Sequence, residues 1–225
     1  MSRSCPIYGK AIYLDCQDCI EKVCKMKYKT LVIGIDQSYN NTGISFSADG
    51  KLLKVNSVYL DKYKTNTMKR KCLRRNLKKI AKIATSNSSE TICVIERIRL
   101  RSQGFLNIDY IKSIGALNAT IVDVMSEFGI KVYSVDTRCW KSQVVGTSKP
   151  MKNIFGVPDE KWPTVKWCIS KGFQDSILNI VEGRREKGTF TENGIKYEYD
   201  NDASDSSAIS MFYFVGDKSK LKEEK

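Results

Sequence analysis

Histidine is absent from the chain. That excludes Ser-His and Cys-His triads and every imidazole acid–base mechanism. No apolar h-region stands near the start, where cysteines and charges occur instead, so no signal peptide is expected. No apolar run is long enough to span a bilayer. Glycine-rich loops that cradle nucleotide phosphates are also missing. Acids are in short supply, with 25 Asp and Glu against 38 Lys and Arg, and the net charge is +13.

What is present describes one ordinary domain with extensions. A length of 225 residues and 41% apolar content suffice for a real core. The cationic excess favours a polyanionic partner, nucleic acid ahead of a membrane surface. With no export signal, a reducing cytoplasm is expected, where eight cysteines serve as thiols or metal ligands more often than as disulfides. Four of them, Cys5, Cys16, Cys19 and Cys24, fall in an N-terminal arm, residues 1–28. Cys16 and Cys19 have the C-x-x-C spacing that places two thiolates on one Zn²⁺, and Cys5 and Cys24 could complete a tetrahedron. A structural zinc and free thiols on a loosely packed arm are both open. Cys72, Cys93, Cys139 and Cys168 stand singly among apolar residues and read as core fillers.

The chain is organised around residues 30–43, TLVIGIDQSYNNTG. An apolar strand, residues 31–35, ends on Asp36, and a polar turn leads to a second strand at Gly43. Asp49-Gly50 marks a hairpin into a third strand, residues 52–60. Apolar residues at three- and four-residue steps predict a helix over 67–84. Its other face carries Lys69, Arg70, Arg74, Arg75 and Lys78, a dense basic surface suited to phosphate contact. A second apolar strand, TICVIE, ends on Glu96 and leads into Arg97, Arg99 and Arg101. A helix over 107–128 stops at Gly129, and a strand over 131–135 precedes a cap at Asp136 or Thr137. Pro163 starts or interrupts a helix within 158–173, and Asn193-Gly194 signals a hairpin. The last helix, 202–215, opens with Asp202 and Asp205 on one face of its first turn. Residues 218–225 read as a frayed charged tail.

Two strand ends and one helix start thus each carry carboxylates: Asp36, Glu96, and the Asp202/Asp205 pair. If the strands are neighbours and the helix crosses them, four anions meet, which requires cations to neutralise them. Oxygen-only ligands suit Mg²⁺ or Mn²⁺. Two such ions roughly 3.5–4 Å apart support phosphodiester hydrolysis without histidine. Any one of these acids alone has a structural explanation, such as helix capping for Asp36 and the helix dipole for Asp202 and Asp205.

The element order β-β-β-α-β-α-β-…-α resembles the RuvC-type Holliday junction resolvases of the ribonuclease H-like superfamily. The motifs that carry the resemblance are IGIDQSYNNTG, CVIERI, WKSQVVG and NDASDSSAIS, spread over residues 31–215. It implies an α/β fold with a mixed five-stranded sheet flanked by helices, over residues 29–217. It also implies two Mg²⁺ or Mn²⁺ ions held by Asp36, Glu96, Asp202 and Asp205, with Lys141 and Lys152 as catalytic cations and Lys149 competing with Lys152. The chain departs from the bacterial pattern in its cysteine arm, in an insertion at about 153–200, and in having Arg97-Ile98-Arg99 where aromatics follow the strand-end glutamate. In character it is nearer phage and viral members.

The expected function is therefore a Mg²⁺-dependent endonuclease for branched DNA, four-way junctions first, acting as a homodimer because resolution needs two matched nicks. Candidate DNA contacts are the basic helix, Arg97, Arg99, Arg101 and Lys149. Three rivals remain: a related nuclease for flaps, forks or RNA–DNA hybrids, an actin-like ATPase, and a non-catalytic DNA-binding module that reads through the cysteine arm.

Overall fold

The computed structural model describes residues 27–98, 108–153, 158–180, 189–192 and 195–224. The N-terminal cysteines, Arg99, Arg101 and Asn193-Gly194 lie outside the described residues.

Strands β1 (Tyr28–Asp36), β2 (Asn41–Ala48) and β3 (Lys51–Tyr59) form an antiparallel meander. Its second turn uses Asp49 and Gly50, with φ of 49° and 81°, the left-handed pair that a tight hairpin needs. Helix α1 (Asn66–Asn87) is capped by Thr65, whose side chain accepts from the Met68 N–H at 3.2 Å. It leads to β4 (Ser88–Glu96), which runs parallel to β1, in register from Tyr28↔Ser88 to Ile35↔Ile95. Helix α2 (Ile108–Glu127) ends at Gly129, φ 69°, and returns the chain to β5 (Lys131–Val135), parallel to β4. A short helix α3 (Thr137–Trp140), capped by Asp136 through the Arg138 N–H at 2.9 Å, runs into a π-turn, Lys141–Val145.

The strand pairs β6 (Met151–Lys152) and β7 (Pro158–Asp159), then α4 (Trp162–Ser170), α5 (Gln174–Ile177), β8 (Leu178–Ile180), β9 (Thr189–Glu192) and β10 (Ile195–Tyr199) fill the region expected to be an insertion. Pro163 sits in the first turn of α4, where its missing N–H costs nothing. Strands β8, β10 and β9 make a separate small sheet. Helix α4 is not peripheral: Trp162, Val165 and Cys168 form a buried cluster with Val55 of β3 and Ala203 of the last helix, α6 (Asn201–Val215).

Among the described residues the main sheet has six strands, not the five expected, in the order β11-β5-β4-β1-β2-β3. The extra edge strand β11 (Lys222–Glu224) comes from the segment read as a frayed tail. Three local features hold it. Asp217 accepts from the Ser219 N–H at 2.9 Å and starts a 3₁₀ turn, Lys218–Lys220. Leu221 packs on the core beside α6, and the Arg97 guanidinium donates to the Lys220 carbonyl at 3.3 Å. Its charged residues suit an outer edge, where they discourage further pairing.

Side chains alternate across each strand, so the sheet has two distinct faces. Leu31, Ile33, Ile35, Cys93 and Ile95 point toward α1 and α2 and form the larger core with Leu73, Leu77, Leu117 and Ile121. Val32, Ile92 and Val94 point the opposite way and pack on Ala208, Ile209 and Phe212 of α6. By the same parity Asp36 and Glu96 face α6. They are the next residues on adjacent strands after the in-register pair Ile35↔Ile95.

Candidate active site

Close approach of α6 to β1 and β2 creates the site. A Cβ at Gly34 would stand 2.3 Å from the Ser206 carbonyl oxygen, and one at Gly43 would stand 1.8 Å from that of Asp202. No other residue type fits at either place without moving the helix. Opposite these glycines α6 carries serines, all buried: Ser204, Ser206, Ser207 and Ser210. Their hydroxyls are satisfied by carbonyls one turn back, such as Ser207 Oγ to Ser204 O at 2.6 Å. Ser45 Oγ also donates to the Ser206 carbonyl at 2.7 Å, pinning helix to strand.

This docking sets the first turn of α6 against the ends of β1 and β4. Asp205 is buried, 2% exposed, while Asp36, Glu96 and Asp202 are half-buried. Burial first, then the charges of Asp205, Glu96 and Asp202, hold Asp36 well above the ordinary carboxylate range. Asp202 is pushed up to about 7 by burial and by Asp200. Glu96 is also raised by burial, against the pull of the Thr137 hydroxyl, which donates to its Oε1 at 2.7 Å. Gln37 joins the two strand ends by donating its side-chain amide to the Glu96 carbonyl.

A cation already stands among these acids. Lys161, the residue before α4, places Nζ 2.6 Å from Asp205 Oδ2. Burial alone would lower its pKa, yet Asp205, Asp36 and Asp202 outweigh that and raise it. Lys141 contributes a second positive charge toward Glu96. It donates to the Glu160 carbonyl at 3.4 Å and lies over the Trp140 ring. Lys152 is exposed on β6 and Lys149 is exposed in the loop before it, and the cations that act most strongly on the acids are Lys161 and Lys141.

Among the described residues no three Asp, Glu, Cys or His side chains close on one point as a finished metal cage. The donor set nevertheless fits a hard divalent cation. It is made of oxygens only, and Asp205 Oδ1 is buried without a hydrogen-bond partner. Gln37 Oε1, on the turn after Asp36, and Asn41 Oδ1, at the start of β2, are buried and unpartnered too.

The expected DNA contacts divide. Lys69 donates to Asn40 Oδ1 at 2.8 Å and lies over the Tyr39 ring. Arg74 and Lys78 both pair with Glu127 of α2, the latter at 2.8 Å. Arg70 is half-exposed and Arg75 exposed. Arg97 spends its guanidinium on Ser134 and on the Lys220 carbonyl, which ties β5 to the C-terminal turn.

Sequence reasoning missed Lys161, Asp200 and the two glycines. The signal for the glycines was their shared strand face and a serine-rich helix able to approach them. For Lys161, only its place before a proline-started helix marked it.

Neither a protein-family profile nor a curated relative matches the chain by sequence. Solved structures do match. RuvC of T. thermophilus in complex with a Holliday junction substrate superposes with a TM-score of 0.56 over 87% of this chain and 99% of that one, at 11% identity. A second Thermus thermophilus RuvC structure gives 0.52 over 86% and 99%, at 13% identity. The chain has a RuvC-type fold. The yeast mitochondrial Holliday junction resolvase Ydc2 overlays at 0.44 over 91% of this chain and 87% of that one, with 14% identity, too loosely to rest an argument on. Within the RuvC-type fold Asp36 and Glu96 stand at the ends of β1 and β4, Asp202 in the first turn of α6 and Asp205 three residues further along that helix.

Proposed function

We propose that this protein is a divalent-metal-dependent endonuclease acting on branched DNA, with the four-way junction as its first substrate. The observation that carries the reading is the gathering of Asp36, Glu96, Asp202 and Asp205 on one sheet face of a RuvC-type fold. So much buried negative charge is costly for a merely structural purpose. The net charge of +13 and the lack of histidine agree with a phosphodiester substrate cut without imidazole.

Asp36, Glu96, Asp202 and Asp205 are the proposed ligands for Mg²⁺ or Mn²⁺. Bound there, two such ions would supply activation of a water and stabilisation of the leaving oxygen. The chain's own groups do the rest. Thr137 holds the Glu96 carboxylate in orientation. Lys161, beside Asp205, and Lys141, near Glu96, are placed to offset charge that builds on a phosphate. Lys161 takes this role ahead of Lys152, because it is the ammonium that stands at the carboxylates.

Phosphates away from the cut are proposed to meet Lys69, Arg70 and Arg75 on α1, with Lys149 and Lys152 on the opposite flank. Two copies acting across a nearly two-fold junction would give paired nicks.

The test is cleavage of a synthetic four-way junction, a flap and an RNA–DNA hybrid in Mg²⁺. Symmetric nicks in the junction, faster than cutting of the other two, support the reading. Equal or faster cutting of the flap or hybrid would replace the junction as substrate, and no cutting of any of them would end the nuclease reading.

A further inference from the structure

Asp200 precedes α6 and is 6% exposed. Its side chain accepts three hydrogen bonds, from the Ala203 N–H at 2.9 Å, from Asn41 Nδ2 at 2.9 Å and from Tyr59 Oη at 3.1 Å. The first is ordinary helix capping, for which a single neutral acceptor would do. The other two come from the start of β2 and the end of β3, across 159 and 141 residues of chain. Asn41 also acts on the Asp202 carboxyl as a donor, the smallest of the influences on that group. A charged group here crowds an already anionic site, so capping alone would favour Ser or Thr.

We propose that Asp200 is a positioning residue that clasps the first turn of α6 to β2 and β3 through Asn41 and Tyr59, and thereby fixes Asp202 for cation binding. The inference rests on the metal-dependent reading above and adds to it a fifth carboxylate that touches no cation itself. Groups that orient a ligand from behind typically contribute 10–100-fold to metal affinity. Tyr59 and Asn41 complete the clasp because both oxygens of Asp200 are then engaged, leaving the carboxylate one orientation.

The experiment is calorimetric titration of Mn²⁺ into the full chain without DNA, beside thermal melts of the same samples. Asp200→Asn keeps a good cap but loses one acceptor oxygen, so its melting temperature should stay near wild type while Mn²⁺ binding weakens by about 10–100-fold. Tyr59→Phe leaves the cap and the charge, and should weaken Mn²⁺ binding by less, in the same direction. Wild-type Mn²⁺ affinity in both variants overturns the clasp and leaves the nuclease reading standing. Should Asp200→Asn fail to fold, Tyr59→Phe decides alone, unchanged affinity again overturning the proposal. A wild-type chain that takes up no Mn²⁺ overturns the metal reading beneath it as well.

Discussion

Toward α1 and α2 the central sheet presents Leu31, Ile33, Ile35 and Ile95, each fully buried against leucines and isoleucines. Toward α6 the sheet presents Val32, Ile92 and Val94, but also Gly34 of β1 and Gly43, Ser45 and Ser47 of β2, and it ends on Asp36 and Glu96. One face uses large side chains to bury area. On the other, glycines and serines beside those apolar residues let a helix backbone come close enough to bring two carboxylates to the strand ends. A two-residue alternation thus lets a single strand bury large side chains on one side and admit a close-packed helix on the other. It also predicts that mutations on the two faces should fail differently.

Leu77→Ala, on the α1 side, should give the largest loss of stability, about 2–5 kcal/mol by denaturant titration, while folded molecules keep wild-type Mn²⁺ affinity. A matching loss of metal affinity would break the comparison. Gly34→Ala should cost less in stability, about 1–3 kcal/mol, because one methyl meets the Ser206 carbonyl. Its effect on cutting should exceed that of Leu77→Ala, since the helix that carries Asp205 must shift. Equal cutting by both variants would show that helix docking does not set the site.

The acids give the α6 face a pH signature. Asp202, raised from 3.8 to about 7, and the raised Asp36 and Glu96 bind protons more tightly folded than unfolded. Unfolding therefore releases protons in this window. Stability of the metal-free protein should fall as pH rises from about 4 through 7, the reverse of a salt-bridged carboxylate. Lys161 stays charged throughout, its pKa being raised from 10.5. Adding Mg²⁺ should flatten the curve. A metal-free curve that rises over the same range would contradict the crowding of acids. Smallest of all, Arg74→Ala removes an exposed pair with Glu127 and should change stability by no more than about 1 kcal/mol.

Much of this was legible in the sequence because it depends on local rules. Apolar strands that end abruptly on Asp36 and Glu96, and a D-x-x-D helix start, announce where carboxylates must stand. Periodicity placed α1 and α2 to within a few residues of their observed ends. What escaped depends on distant partners. Strand β11, made of Lys222, Glu223 and Glu224, has no apolar pattern and depends on the edge that β5 offers and on the distant Arg97. Lys161 reaches the acids across 44 residues from Asp205, out of a segment that looked like an insertion. The serine-rich face of α6 looks solvent-facing until Gly34 and Gly43 are placed opposite it.

The proposed site, four carboxylates where α6 meets the ends of β1 and β4, is one that cuts only with a bound cation. It is tested most directly by incubating wild type and Asp36→Asn with a labelled four-way junction, in Mg²⁺ and in chelator. Wild type should cut only in Mg²⁺, and Asp36→Asn should bind the junction without cutting it. Undiminished cutting by Asp36→Asn, or by wild type in chelator, would contradict it.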